Sequence, residues 1–136
     1  MTKQDYNDLT YEIIGACIEV HKALGPGLLE TVYAKCLAHE FHLQEIPFQK
    51  ELFIPVEYKG IQVQSDLRCD FLVEDAIVLE IKSKEKVLPI DEAILITYMK
   101  LLQKPKGILV NFKCLNLFKE GQKTYVNELF RMLPEN

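Results

Sequence analysis

The chain has 136 residues, a length suited to a single domain with one core. Hydrophobic residues make up 49% and charged residues 26%, with few glycines or prolines, which excludes a disordered or fibrous chain. A formal charge of −4 argues against a protein that grips nucleic acid over a broad basic surface. No apolar run reaches the roughly 18 residues of a membrane helix, and the start, Met1 to Asp5, lacks the apolar segment of a signal peptide, so a cytoplasmic protein with no membrane partner is expected. Cys17, Cys36, Cys69 and Cys114 lie far apart in mainly apolar stretches without metal-finger spacing, as buried free thiols do.

Residues 9–24 place Ile14, Cys17, Ile18 and His21 at i, i+3, i+4 and i+7, an amphipathic helix that Gly25-Pro26-Gly27 ends. A second helix, from Leu28 to about Leu43, carries Leu29, Val32, Cys36 and Phe41 toward one side, with Glu30 in its first turn. Phe53 to Tyr58 then reads as extended, with Pro55 marking an edge strand, followed by a Lys59-Gly60 turn and an alternating strand through Gln64. Leu67 to Val73 and Ile77 to Lys82 form a hairpin around residues 74–76. Pro89 opens a helix whose buried face is Ile90, Ala93, Ile94, Thr97 and Leu101; a strand over Ile108 to Phe112 follows, so that it and the 77–82 strand are parallel neighbours. A last strand runs from about Lys123 to Asn127. Nothing divides residues 1–136, and the fold class is α/β.

The hairpin carries the chemistry. With 74–76 as its loop, paired residue numbers sum to 150, which sets Asp70 opposite Glu80 and Arg68 opposite Lys82. Two carboxylates side by side repel unless something compensates, and a hard divalent cation on Asp70, Glu80 and the Ile81 carbonyl would do so. Lys82 shares that face, where a lysine can orient a metal-bound water or stabilise charge on a phosphate. The same spacing also fits two diagonal ion pairs, Asp70 with Lys82 and Arg68 with Glu80, on a half-exposed hairpin that needs no metal. Glu30 is stabilised by the helix dipole whether or not a metal is near, and a lone His21 on an apolar stripe reads as a core residue. Lys82 to Lys123 hold nine lysines against four acids, so a charged face toward phosphate is compatible with the net charge.

Asp70 followed by Glu80-Ile81-Lys82 resembles the D-x(n)-E-x-K signature of PD-(D/E)xK nucleases, and Gly27-Leu28-Leu29-Glu30-Thr31-Val32-Tyr33 resembles the motif of the GxxExxY family within that superfamily. Further segments similar to the family include Ile46-Pro47-Phe48, Tyr58-Lys59-Gly60, Thr97-Tyr98 and Asn111-Phe112, so the resemblance spans nearly the whole chain. It implies a restriction-endonuclease-like core, a mixed central sheet flanked by helices, with Glu30, Asp70, Glu80 and Lys82 catalytic and Asp70, Glu80 and Ile81 holding Mg²⁺ or Mn²⁺. Its implied activity is phosphodiester hydrolysis of DNA or RNA. One departure stands out: where the family carries a His-x-Ala-Gln-like pattern, this chain reads Asp91-Glu92-Ala93-Ile94, and isoleucine has neither donor nor acceptor. That substitution keeps open a non-catalytic domain that binds nucleic acid or protein, and an exposed sheet edge is compatible with a homodimer.

Overall fold

A computed structural model describes all 136 residues, Met1–Asn136. The order of elements is α1 (Lys3–Leu24), α2 (Glu30–Leu43), β1 (Phe48–Phe53), β2 (Val56–Tyr58), β3 (Ile61–Val63), β4 (Arg68–Val73), β5 (Ile77–Lys82), α3 (Pro89–Leu102), β6 (Lys106–Asn111), α4 (Leu117–Glu120), β7 (Gln122–Val126) and α5 (Glu128–Arg131). Five strands make a mixed sheet in the order β1-β4-β5-β6-β7, in which only β5 and β6 run parallel. That parallel pair is the one the strand–helix–strand sequence requires. β2 and β3 form a separate two-stranded ribbon. No helix is long and apolar enough to cross a membrane.

Two apolar clusters cover the two faces of the sheet. On one face α1 and α2 bring Leu9, Ile13, Tyr33, Leu37 and Phe41 against Phe71, Ile77, Leu79, Ile81 and Ile108. On the other α3 brings Leu95 and Met99 against Leu72, Val78 and Leu109. The hairpin is therefore not half-exposed: Leu72 and Val78 are buried as fully as their neighbours. Cys69 joins the α3 cluster and not the main core, so the side chains of β4 change face across Asp70.

The helices begin and face somewhat differently from their sequence reading. α1 starts at Lys3 because the Thr2 hydroxyl accepts from the Asp5 N–H and the Asp5 carboxylate accepts from the Thr2 N–H, a reciprocal cap. α2 starts at Glu30, and its buried stripe is Tyr33, Leu37 and Phe41, which leaves Leu29 (73% exposed) and Val32 outside. In α3 the buried residues are Asp91, Leu95 and Met99, four apart, with Ile90, Ala93 and Thr97 exposed. The helix is turned this way because Asp91 is tied down: its carboxylate accepts from the Leu88 N–H and from Lys84 Nζ, both at 2.8 Å. Pro55 lies in no strand; the extended run is broken there, between the end of β1 and the start of β2.

Candidate metal centre and active site

β4 and β5 pair as Phe71↔Leu79, Leu72↔Val78 and Val73↔Ile77, the register in which numbers sum to 150. The turn closes through Glu74 and Asp75, both at positive φ, 51° and 54°. One step past Phe71 and Leu79 the ladder changes character. The Asp70 N–H donates to Glu80 Oε2 (2.6 Å) and the Ile81 N–H donates to Asp70 Oδ2 (2.8 Å). Each carboxylate thus replaces a backbone carbonyl on the opposite strand, and the acids lie crossed between the strands. The remaining oxygens, Asp70 Oδ1 and Glu80 Oε1, accept no hydrogen bond from the protein. Residue 81 points its N–H toward β4, and extended backbone aims its carbonyl the same way, while its side chain is sunk in the main core.

Lys82 ends β5, and its Nζ lies 4.0 Å from Glu30 Oε1. Glu30 reaches this point because the link between α1 and α2 folds tightly. Gly27 has φ of 116°, which a side chain would resist, and the Tyr33 hydroxyl donates to the Gly25 carbonyl and accepts from the Leu28 N–H (3.2 Å). Ser83 Oγ donates to the Leu28 carbonyl (2.6 Å), fastening the link to the exit of β5. Glu30, Asp70, Glu80 and Lys82 are thereby brought to one end of the sheet, from positions up to 52 residues apart.

The electrostatics of the pair follow from burial. Glu80 is 5% exposed, and desolvation, then the charge of Asp70, pushes its carboxyl up to about 8, against the Asp70 N–H and Lys82, which favour the charged form. Burial also raises Asp70, opposed by the Ile81 N–H and by Lys82. Glu30 is raised by burial, with Lys82 pulling the other way. A buried and a half-buried carboxyl this close together cannot both ionise cheaply, and the pair titrates as a unit. No three His, Cys, Asp or Glu side chains converge closely enough to cage an ion. A cation here would therefore have two carboxylates, one carbonyl and several waters, a donor set that suits Mg²⁺ or Mn²⁺.

The metal-free alternative of diagonal ion pairs does not form. Lys82 is engaged with Glu30, and the guanidinium of Arg68 lies 4.4 Å over the ring of Phe53. His21 is a satisfied core residue, its Nε2 2.8 Å from the Cys114 carbonyl. Tyr33 caps the helix link and stacks on Phe112 at 4.4 Å. Tyr98 lies near the acids: its hydroxyl is raised first by burial and then by Glu80 and Asp70. Ile94 is half-buried on α3.

Three residues of the site escaped the sequence reading. Asn111, at the end of β6, accepts from the Lys84 N–H (3.1 Å) and donates to the Lys84 carbonyl (2.8 Å), holding the chain as it leaves Lys82; a lone amide closing an apolar strand is the signal it offered. Lys84 is bonded to Asp91 and fixes α3. Glu51 falls opposite Asp70 in the β1–β4 register, where pairing skips one step and its φ is 54°, and its charge raises Asp70 further. A cavity of about 140 Å³ lies elsewhere, over β6 and β7 beside Val87, Leu109 and Tyr125.

No curated protein and no solved structure matches the chain significantly. A family model does, over residues 7–124, a span that includes all four charged residues of the site. The five-stranded mixed sheet between helices agrees with it, being the arrangement of a restriction-endonuclease-like fold. With most of its length matched by that model, the chain belongs to the PD-(D/E)XK nuclease superfamily.

Proposed function

We propose that this domain is a metal-dependent nuclease of the GxxExxY branch, hydrolysing phosphodiester bonds in DNA or RNA. The observation that carries this reading is the crossed pair: a buried carboxylate, Glu80, and a half-buried one, Asp70, each with one oxygen committed to the other strand and one left over, beside a lysine. Asp70, Glu80 and the Ile81 carbonyl would hold Mg²⁺ or Mn²⁺. Such an ion would supply an activated water and offset charge on the phosphate. Lys82 would orient that water and stabilise charge on the departing group, and Glu30 would position Lys82 by holding its ammonium. The GxxExxY branch is supported by the separate use of each motif residue: Gly27 for the turn, Glu30 for Lys82, Tyr33 for the cap.

Ile94 favours a second reading, a domain that keeps fold and acids but only binds a partner, since isoleucine cannot position water or substrate. Calorimetric titration with Mn²⁺ of wild type and Asp70→Asn, then incubation of both with single- and double-stranded DNA and RNA, separates the two. The nuclease reading expects binding and cleavage that both vanish in Asp70→Asn, and cleavage alone that vanishes in Lys82→Gln. Wild type that binds Mn²⁺ yet leaves every substrate intact would favour the binding module.

A further inference from the structure

We infer that the β2–β3 ribbon is a base-stacking arm for single-stranded nucleic acid beside the candidate active site, an inference that rests on the nuclease reading. The ribbon is rooted by Ile54, 3% exposed in the α3-side cluster, and closed by the Ile54 N–H donating to the Leu67 carbonyl (2.9 Å). Past that root, β2 and β3 pair only with each other. A free two-stranded ribbon is marginal in water and ordinarily polar, yet this one exposes Tyr58 (58%) and Ile61, and its base exposes Phe53 (55%).

The two aromatics are set in the same way. Lys59 Nζ lies 5.2 Å from the ring centre of Tyr58, and Arg68 stands 4.4 Å over Phe53. Neither cation meets a carboxylate. Each ring thus has a positive charge on one face and a large solvent-exposed area for a base, the combination that binds unpaired bases and their phosphates. Phe53 and Arg68 are register partners, and Arg68 is two residues before Asp70 on the same strand. The arm therefore leaves the sheet at the end that holds the acids, where a strand entering the site would pass.

The choice of a single strand over a duplex follows from charge as well as from stacking. Glu57 and Asp66 lie on the same segment, so the arm is no broad basic surface. Elsewhere, Lys84, Lys104, Lys113 and Lys123 are all in ion pairs, which offsets part of the basic face that the sequence offers to a duplex backbone. Unpaired bases expose the flat faces that these rings can stack on; a duplex hides them.

Fluorescence anisotropy in EDTA, where cleavage cannot proceed, measures this with a labelled DNA strand of about 12 nucleotides and its duplex. Wild type is expected to prefer the single strand, and Phe53→Ala and Tyr58→Ala are each expected to weaken that binding about tenfold without shifting the melting temperature. Unchanged affinity in both variants, an equal loss on the duplex, or no binding by wild type would overturn the inference. Cleavage by wild type with Mn²⁺ is scored separately. Strand binding that depends on the rings, without any cleavage, would refute the nuclease and leave the arm standing, whereas cleavage indifferent to both rings would do the reverse.

Discussion

Replacing Glu80 by glutamine should make the protein more stable at neutral pH while destroying its capacity for metal. Burial and the charge of Asp70 push the Glu80 carboxyl up to about 8 from an ordinary value of 4.5, so the folded pair keeps a proton that the unfolded chain has released at pH 7. A carboxyl raised in this way contributes stability that is fully present below about pH 4.5 and is lost as pH rises toward 8. At about 1.4 kcal/mol per pH unit, the loss between the ordinary value and pH 7 is about 3 kcal/mol, an upper figure because Asp70 shares the proton. Glutamine carries no charge to desolvate, and its amide oxygen can still accept from the Asp70 N–H that now meets Glu80 Oε2 at 2.6 Å. Melting wild type and Glu80→Gln in EDTA at about pH 5, 7 and 8.5 should show wild type weakening with pH, the variant nearly flat, and a gap on the order of 10 °C at pH 7. Mn²⁺ should raise the wild-type melting temperature and leave the variant's unchanged. A wild type that gains stability from pH 5 to 8, or a variant no more stable than wild type at pH 7, would refute the account of the pair as an uncompensated charge.

Tyr33→Phe should keep the stack on Phe112 but orphan the Gly25 carbonyl and Leu28 N–H, costing about 1–3 kcal/mol in urea unfolding and weakening cleavage through a displaced Glu30. Asp91→Ala removes the acceptor for Leu88 and Lys84 and should cost about 1–2 kcal/mol at pH 7. Because Lys84 and then the Leu88 N–H hold Asp91 below its ordinary range, that stability exists above this range and is lost in acid, so the melting curves of variant and wild type should converge as Asp91 is protonated. Gly121→Ala would set a β-carbon 2.8 Å from the Asn111 carbonyl oxygen, a backbone atom that cannot swing away; a loss of about 1–3 kcal/mol in chemical unfolding is expected.

Local patterns determined a good part of this protein. The hairpin register around Asp70 and Glu80 was legible because a three-residue loop between two alternating strands leaves one pairing that buries Phe71 with Leu79. The parallel pairing of β5 with β6 followed from a helix between two strands, and the break before Glu30 from Gly25-Pro26-Gly27. Tertiary structure decided the rest. Which face of α3 turns inward depended on Asp91 finding Lys84 and the Leu88 N–H; its apolar residues are spread so widely that periodicity admits either face. The crossing of the two carboxylates, Lys82 turning to Glu30 and not Asp70, and Asn111 holding Lys84 are bonds between groups ten to fifty-two residues apart. Such bonds leave no trace in composition or period, because they are made only after the sheet has brought its strand ends together and excluded the water that would otherwise satisfy them.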